Sequence, residues 1–196
     1  METTQAREHL QWVDGIVRVA DRDLNLHPAV LIAWGLFGTL VNAMHQARAS
    51  GLAVPDDATF HMPLMLLALA VTVWAGHASQ KRAGRVTLVD SFAGSVFGVV
   101  FGVLLIVNLT AQHSVVPARA MGLFWAAGLS IALLIIGLHA SRLLLGGGIA
   151  LLAASVAASF FPNWFDGIFA VGWVFGFVVP GLVLATSRSN GRAAAL

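Results

Sequence analysis

A chain of 196 residues that is 58% hydrophobic and only 10% charged is not an ordinary soluble domain, where about a quarter of residues carry charge. Cysteine is absent, which removes disulfides, thiol catalysis and thiolate metal sites. The formal net charge is only +2 and the basic residues are scattered singly, so the clustered basic surface that nucleic acid requires is missing. With a mean hydropathy of +0.84 and several uninterrupted apolar stretches near the roughly 20 residues that cross a bilayer, the sequence predicts an all-α polytopic membrane protein. Its expected form is a compact bundle of six transmembrane helices preceded by an N-terminal amphipathic cytoplasmic helix.

The first 26 residues read as that arm. Leu10, Val13, Val17, Ala20 and Leu24 recur at steps of three and four, an apolar strip like a short coiled-coil seam. Trp12 and Ile16 widen the strip, and Glu8, Asp14, Arg18, Asp21 and Arg22 occupy the polar side. Acidic residues outnumber basic ones in this segment, whereas a helix lying on anionic lipid is normally rich in Lys and Arg. The arm is therefore expected to dock protein: the basic stretch 79–85 of its own chain, a second copy, or a cytosolic partner. A helix resting in the lipid interface is the alternative. No apolar segment followed by a small-residue cleavage site opens the chain, so no cleaved signal peptide is expected.

Hydropathy places the transmembrane domain at 27–186, with spans near 27–48, 60–79, 90–112, 118–140, 143–161 and 164–186. A short cytoplasmic tail, 187–196, follows. Pro63 is expected in the first turn of the second span, where no backbone donor is lost. Nine Lys and Arg residues, including Arg7, Arg18, Lys81, Arg82, Arg85 and Arg142, fall on one side of this topology. Arg48 and Arg119 fall on the other. The positive-inside rule then predicts a multi-pass protein of the plasma (inner) membrane with both termini in the cytoplasm.

Four spans carry small residues at four-residue spacing, the pattern that lets helix backbones approach closely in lipid. The third has Gly94, Gly98 and Gly102, and the fifth has Gly146, Ala150, Ala154 and Ala158. The fourth offers Gly122, Ala126 and Ser130, and the sixth Gly172 and Gly176. Most of these faces are expected to pack internally, with one available for a homo-oligomer. Pro180-Gly181 is expected to bend the sixth span, as a hinge or as a fixed kink filled by a neighbour.

No Asp, Glu, Lys or Arg falls in the central part of any span, which disfavours ion-coupled transport through a buried carboxylate. Six histidines lie at span ends, with His27, His77 and His139 toward one side and His45, His61 and His113 toward the other. Neutral imidazoles in layers could hold a transition metal or haem, yet amphipathic rings also favour the membrane interface for its own sake. No cofactor is predicted from these residues, with haem or a metal as the lesser alternative. Asn42, His45 and Gln46 on the first span have a counterpart in Asn108, Gln112 and His113 on the third. Together with His61 they form a candidate outer polar collar, for solute or metal contact or for interhelical hydrogen bonding. Mid-span Ser95, Ser130 and Ser155 are expected to bond back to their own helices. No nucleophile–base motif or phosphate-binding loop is present, and a non-enzymatic role is expected.

Two functions of different class fit this sequence. One is a regulatory, sensory or scaffold component of the membrane whose arm docks a protein partner. The other is a small passive channel or facilitator for a neutral or weakly charged solute. A His-based metal or haem protein is a third.

Overall fold

The computed structural model describes residues 27–83, 88–111 and 118–193. The arm, Gln112 and His113 therefore lie outside the described residues. Those described are helical almost throughout: α1 (Pro28–Ala49), α2 (Asp57–Ala83), α3 (Leu88–Ala111), α4 (Ala118–Ala140) and α5 (Arg142–Phe160). A 3-10 turn at Pro162–Trp164 leads into α6 (Phe165–Trp173), a π turn (Val174–Val178) and α7 (Val179–Ala193). Five stretches are long and apolar enough to cross a membrane, the last of them Pro162–Ser187, and α3 contributes a shorter apolar run, Phe92–Val107. The chain is a helical membrane bundle.

Helix boundaries follow local chemistry. His27 stands just before α1 and its Nδ1 accepts from the Ala29 N–H at 3.4 Å, with Pro28 as the first helical residue, where its missing N–H is no loss. Asp56 starts α2 earlier than hydropathy predicts: its carboxylate accepts from the Thr59 hydroxyl and, at 2.8 Å, from the Thr59 N–H. Pro63 accordingly lies inside the helix rather than in its first turn, and Thr59 loses the N–H that its carbonyl would normally accept. Hydropathy could not register Asp56 because a capping residue lies in the polar loop outside the apolar run.

The helices form a ring in chain order. α2 packs on α1, α1 on the α6–π–α7 span, that span on α5, α5 on α4, and α4 on α3. Short connections account for the pairing of α4 with α5 and of α5 with the last span, whereas α1 meets the last span from the far end of the chain. The ring is open between α2 and α3, which make no extended contact among the described residues. Aromatic side chains link helices that are not neighbours in this order. Trp34 and Phe37 of α1, Phe101 of α3 and Trp125 of α4 form a run of edge-to-face pairs with centroids 5.2–5.7 Å apart. Leu133, Ile136, Leu144 and Leu151 are fully buried in one cluster, against which Trp34 and Trp125 pack.

The last span has a spacing problem that the π turn solves. Phe165, Phe169, Trp173, Phe177 and Gly181 are buried and recur every four residues, as do buried Gly172, Gly176 and Pro180. A straight α-helix rotates such a stripe by ~40° per step, hence by ~160° from Phe165 to Gly181, nearly to the opposite face. The i→i+5 bonding of a π turn fits more residues into a turn and recovers part of that rotation. The Val179 N–H bonds to the Val174 carbonyl, and the turn ends just before Pro180, which has no N–H to offer the Gly176 carbonyl. The break in this helix thus precedes the proline, and Pro180 itself is fully buried with its ring against Gly147.

Candidate functional site

The polar residues at the His45 end of α1 take different partners. Gln46 reaches across to the entrance of α6: its Nε2 donates to the Asn163 carbonyl and its Oε1 accepts from the Gly167 N–H, both at 3.0 Å. The reason lies in the partner helix. Trp164 precedes α6 and supplies no side-chain cap, so first-turn donors of α6 lack an acceptor from their own segment. Gln46 supplies one from another helix. Asn42 instead donates from Nδ2 to the Gly38 carbonyl of its own helix at 2.7 Å. Arg48 donates to the Pro55 carbonyl and ties the 50–56 loop back to α1. Asn108 lies near the end of α3.

Two further residues extend this pattern along α1. The Trp34 Nε1–H donates to Thr72 Oγ1 of α2 at 3.0 Å, and Thr72 in turn donates to the Ala68 carbonyl. Thr39 Oγ1 donates to the Ala170 carbonyl of α6 at a long 3.5 Å. From one end to the other, α1 therefore reaches α2, α6 and the turn before α6 through Trp34, Thr39 and Gln46. Sequence reasoning selected Gln46 as a polar collar residue and passed over Trp34 and Thr39, which look like unremarked members of an apolar span. A tryptophan and a threonine within two turns were the available signal, since each carries a polar atom that lipid does not satisfy. The buried serines do follow the expected pattern: Ser130 donates to the Ala126 carbonyl and Ser155 to the Leu151 carbonyl.

Each of four histidines lies beside an aromatic ring. His27 meets Trp74 at 5.3 Å, His61 meets Phe37 at 5.2 Å, His45 meets Phe60 at 6.0 Å, and His139 meets Phe92 at 5.4 Å. The first three pairs join α1 to α2. The His139 Nδ1 also lies 2.8 Å from the Ile135 carbonyl, and His77 is exposed. Among the described residues no group of three or more His, Asp or Glu side chains could hold a metal ion. Outside the spans, hydrogen bonds from Thr59 hold the Asp56 carboxyl below the usual carboxylate range, with a smaller contribution from the Arg48 charge.

The glycines divide sharply. A Cβ at Gly147 would stand 2.5 Å from the Gly176 carbonyl oxygen, one at Gly35 2.8 Å from the Val178 nitrogen, and one at Gly172 2.5 Å from the Ala154 methyl. Trp173 lies against Gly38, and Leu145 backbone against Gly137. Gly176 fits against Leu151, Gly148 against Leu134, and Gly181 against Ile32. Gly94, Gly98, Gly102, Gly122 and Gly146 have open space where a Cβ would be. In α5, Ala158 is buried and Ala150 and Ala154 are half-buried. The tight contacts of that helix use Gly147 and Gly148 rather than the adjacent Gly146.

No family model, curated protein or solved structure matches this chain.

Proposed function

We propose that this protein is a non-enzymatic regulatory or scaffold component of the plasma (inner) membrane, with both termini in the cytoplasm, whose N-terminal arm docks a protein partner. The supporting observation is the position of α1. It follows the arm in the chain, and its Trp34, Thr39 and Gln46 hydrogen bonds reach α2, α6 and the turn before α6. A pull or push on the arm therefore acts on the helix through which several neighbours are held.

Ring pairs that join α1 to α3 and α3 to α4, Trp34–Phe101 and Phe101–Trp125, support this reading over a passive facilitator, because they tie helices together across the ring. Self-association fits the same reading, with the open glycine face of α3, Gly94, Gly98 and Gly102, available to a second copy. Deleting residues 1–25 should abolish partner capture in pull-downs while membrane insertion is retained, and unchanged capture would sink the proposal. Liposomes containing the purified protein should show solute flux no greater than empty ones across a panel of small neutral solutes. Flux above that background would promote the facilitator instead.

A further inference from the structure

A groove runs down the first part of the last span. It is lined by Phe161, Trp164, Gly167, Ile168 and Val171 and has a volume of about 460 Å³. Phe161, Trp164 and Val171 are 57%, 65% and 54% exposed, and Pro162–Ser187 is among the stretches apolar enough to cross a membrane, so the groove opens to lipid. Its lining is two aromatic rings, two branched aliphatic side chains and a glycine, with no charged group. Water finds too few partners in such a space, and its contents must be hydrocarbon.

The groove is held in shape from behind. The Gly167 N–H bonds to Gln46 Oε1 at 3.0 Å, and Ile168 packs against the buried core. The rings of Phe165 and Phe169, both in that core, stack at 4.9 Å on the same helix. Dimensions select the occupant. From Trp164 to Val171 the chain rises ~10 Å, which gives the groove a mean cross-section of ~45 Å², against ~80 Å² for a helix with its side chains. An extended acyl chain fits where a helix does not. The groove starts at Phe161, between the spans Arg142–Phe160 and Pro162–Ser187, at the membrane edge where a phospholipid chain leaves its headgroup.

We infer that this groove is a lipid site, holding one acyl chain of a membrane phospholipid between the Phe161 and Trp164 rings and along Ile168 to Val171. Lipid tails are as apolar as the lining, so retention comes from van der Waals contact on several sides of the chain. Walls already fixed in place add to it, because nothing has to be ordered on binding. The site does not depend on the function proposed above.

The full chain, purified in detergent and equilibrated with dioleoylphosphatidylcholine, tests this by native mass spectrometry across a dilution series. One phospholipid should persist after the others have exchanged away. Val171→Trp, which fills the groove, should weaken that last lipid by about fivefold, the scale of several lost carbon–carbon contacts. Trp164→Ala, which removes a wall instead of adding bulk, should weaken it by a similar factor. Val103→Trp, at a 55% exposed position of α3 away from the groove, should leave it unchanged. Equal losses from Val171→Trp and Val103→Trp would overturn the inference, as would the absence of any lipid that outlasts the exchanging shell. Displacement of the retained lipid by an equimolar amount of free oleate would overturn the phospholipid assignment. A protein dimer that Val171→Trp abolishes would give the groove to a second copy instead.

Discussion

The last span and α3 both carry glycines at four-residue spacing, yet the bundle treats them oppositely. Around Gly172 and Gly176, neighbouring chain atoms occupy the space a side chain would take. Around Gly94, Gly98 and Gly102 no described residue comes within contact distance. The same contrast separates whole regions. α1, α4, α5 and the last span meet through glycine notches, with backbone against backbone at Gly137, Gly147 and Gly35. α2 is held by rings and one indole hydrogen bond, through His27–Trp74, Phe37–His61, His45–Phe60 and Trp34–Thr72. Glycine spacing in a membrane helix thus signals that close approach is available, not that it is used. Van der Waals packing is the main attraction between helices in lipid, so the notched group should be the stiff part of the molecule and α2 the part that yields.

The largest test of this contrast is a pair of identical substitutions. Gly147→Leu forces a side chain into the Gly176 carbonyl, which cannot move aside without shifting the last span. It should lower bundle stability by roughly 3 kcal/mol, the upper range of overpacking. Gly98→Leu projects into open space and should stay within about 0.5 kcal/mol. Denaturant unfolding in mixed micelles, followed by tryptophan fluorescence, measures both, and equal effects would dissolve the distinction between the two glycine sets.

Next in size is Gln46→Leu, which leaves the Gly167 N–H and the Asn163 carbonyl without their partner. A loss of about 1–2 kcal/mol is expected in the same unfolding measurement. Gln46→Glu should recover only part of it, because a carboxylate can accept from Gly167 but cannot donate to Asn163.

Trp34→Phe keeps an aromatic ring but removes the donor to Thr72. The expected cost is about 0.6 kcal/mol, the average for an interhelical hydrogen bond within a membrane. Hydrogen exchange should rise in α2 and leave α5 unchanged. A uniform rise across all helices would mean that α2 is not the separable part.

The smallest effect concerns the start of α2. Thr59 hydrogen bonds lower the folded-state pKa of Asp56. The cap is therefore fully present above the unfolded carboxylate value and is lost as pH falls through the lower folded value. Neutral and mildly acidic solutions should show no change. Exchange of the Thr59 amide should increase only in strong acid, and Asp56→Asn should remove that dependence.

Much of the architecture was legible in the chain. Apolar run lengths placed α4 at its observed limits and the other spans within a few residues, because a helix crossing lipid must be apolar along its length whatever it touches. The helix-bonded serines were legible for a similar reason, since a hydroxyl in hydrocarbon has its own preceding carbonyl within reach. Gln46 could be singled out as a polar residue at a span end, but its task could not. That depended on α6 beginning after Trp164 without a side-chain cap and on α1 ending beside it.

What the sequence by itself determined is membrane residence and the order and approximate extent of the apolar helical segments. Those follow from solvation, which each residue experiences independently. Tertiary structure decided which of three successive glycines, Gly146, Gly147 or Gly148, meets which neighbour, and that the glycine face of α3 meets none among the described residues. It also set the π turn, whose cause is a period-four stripe that had to face α1 and α5 along its whole length. A one-dimensional pattern states what a helix face is made of. Which other face it meets depends on the rotation of both helices, and only their packing fixes that.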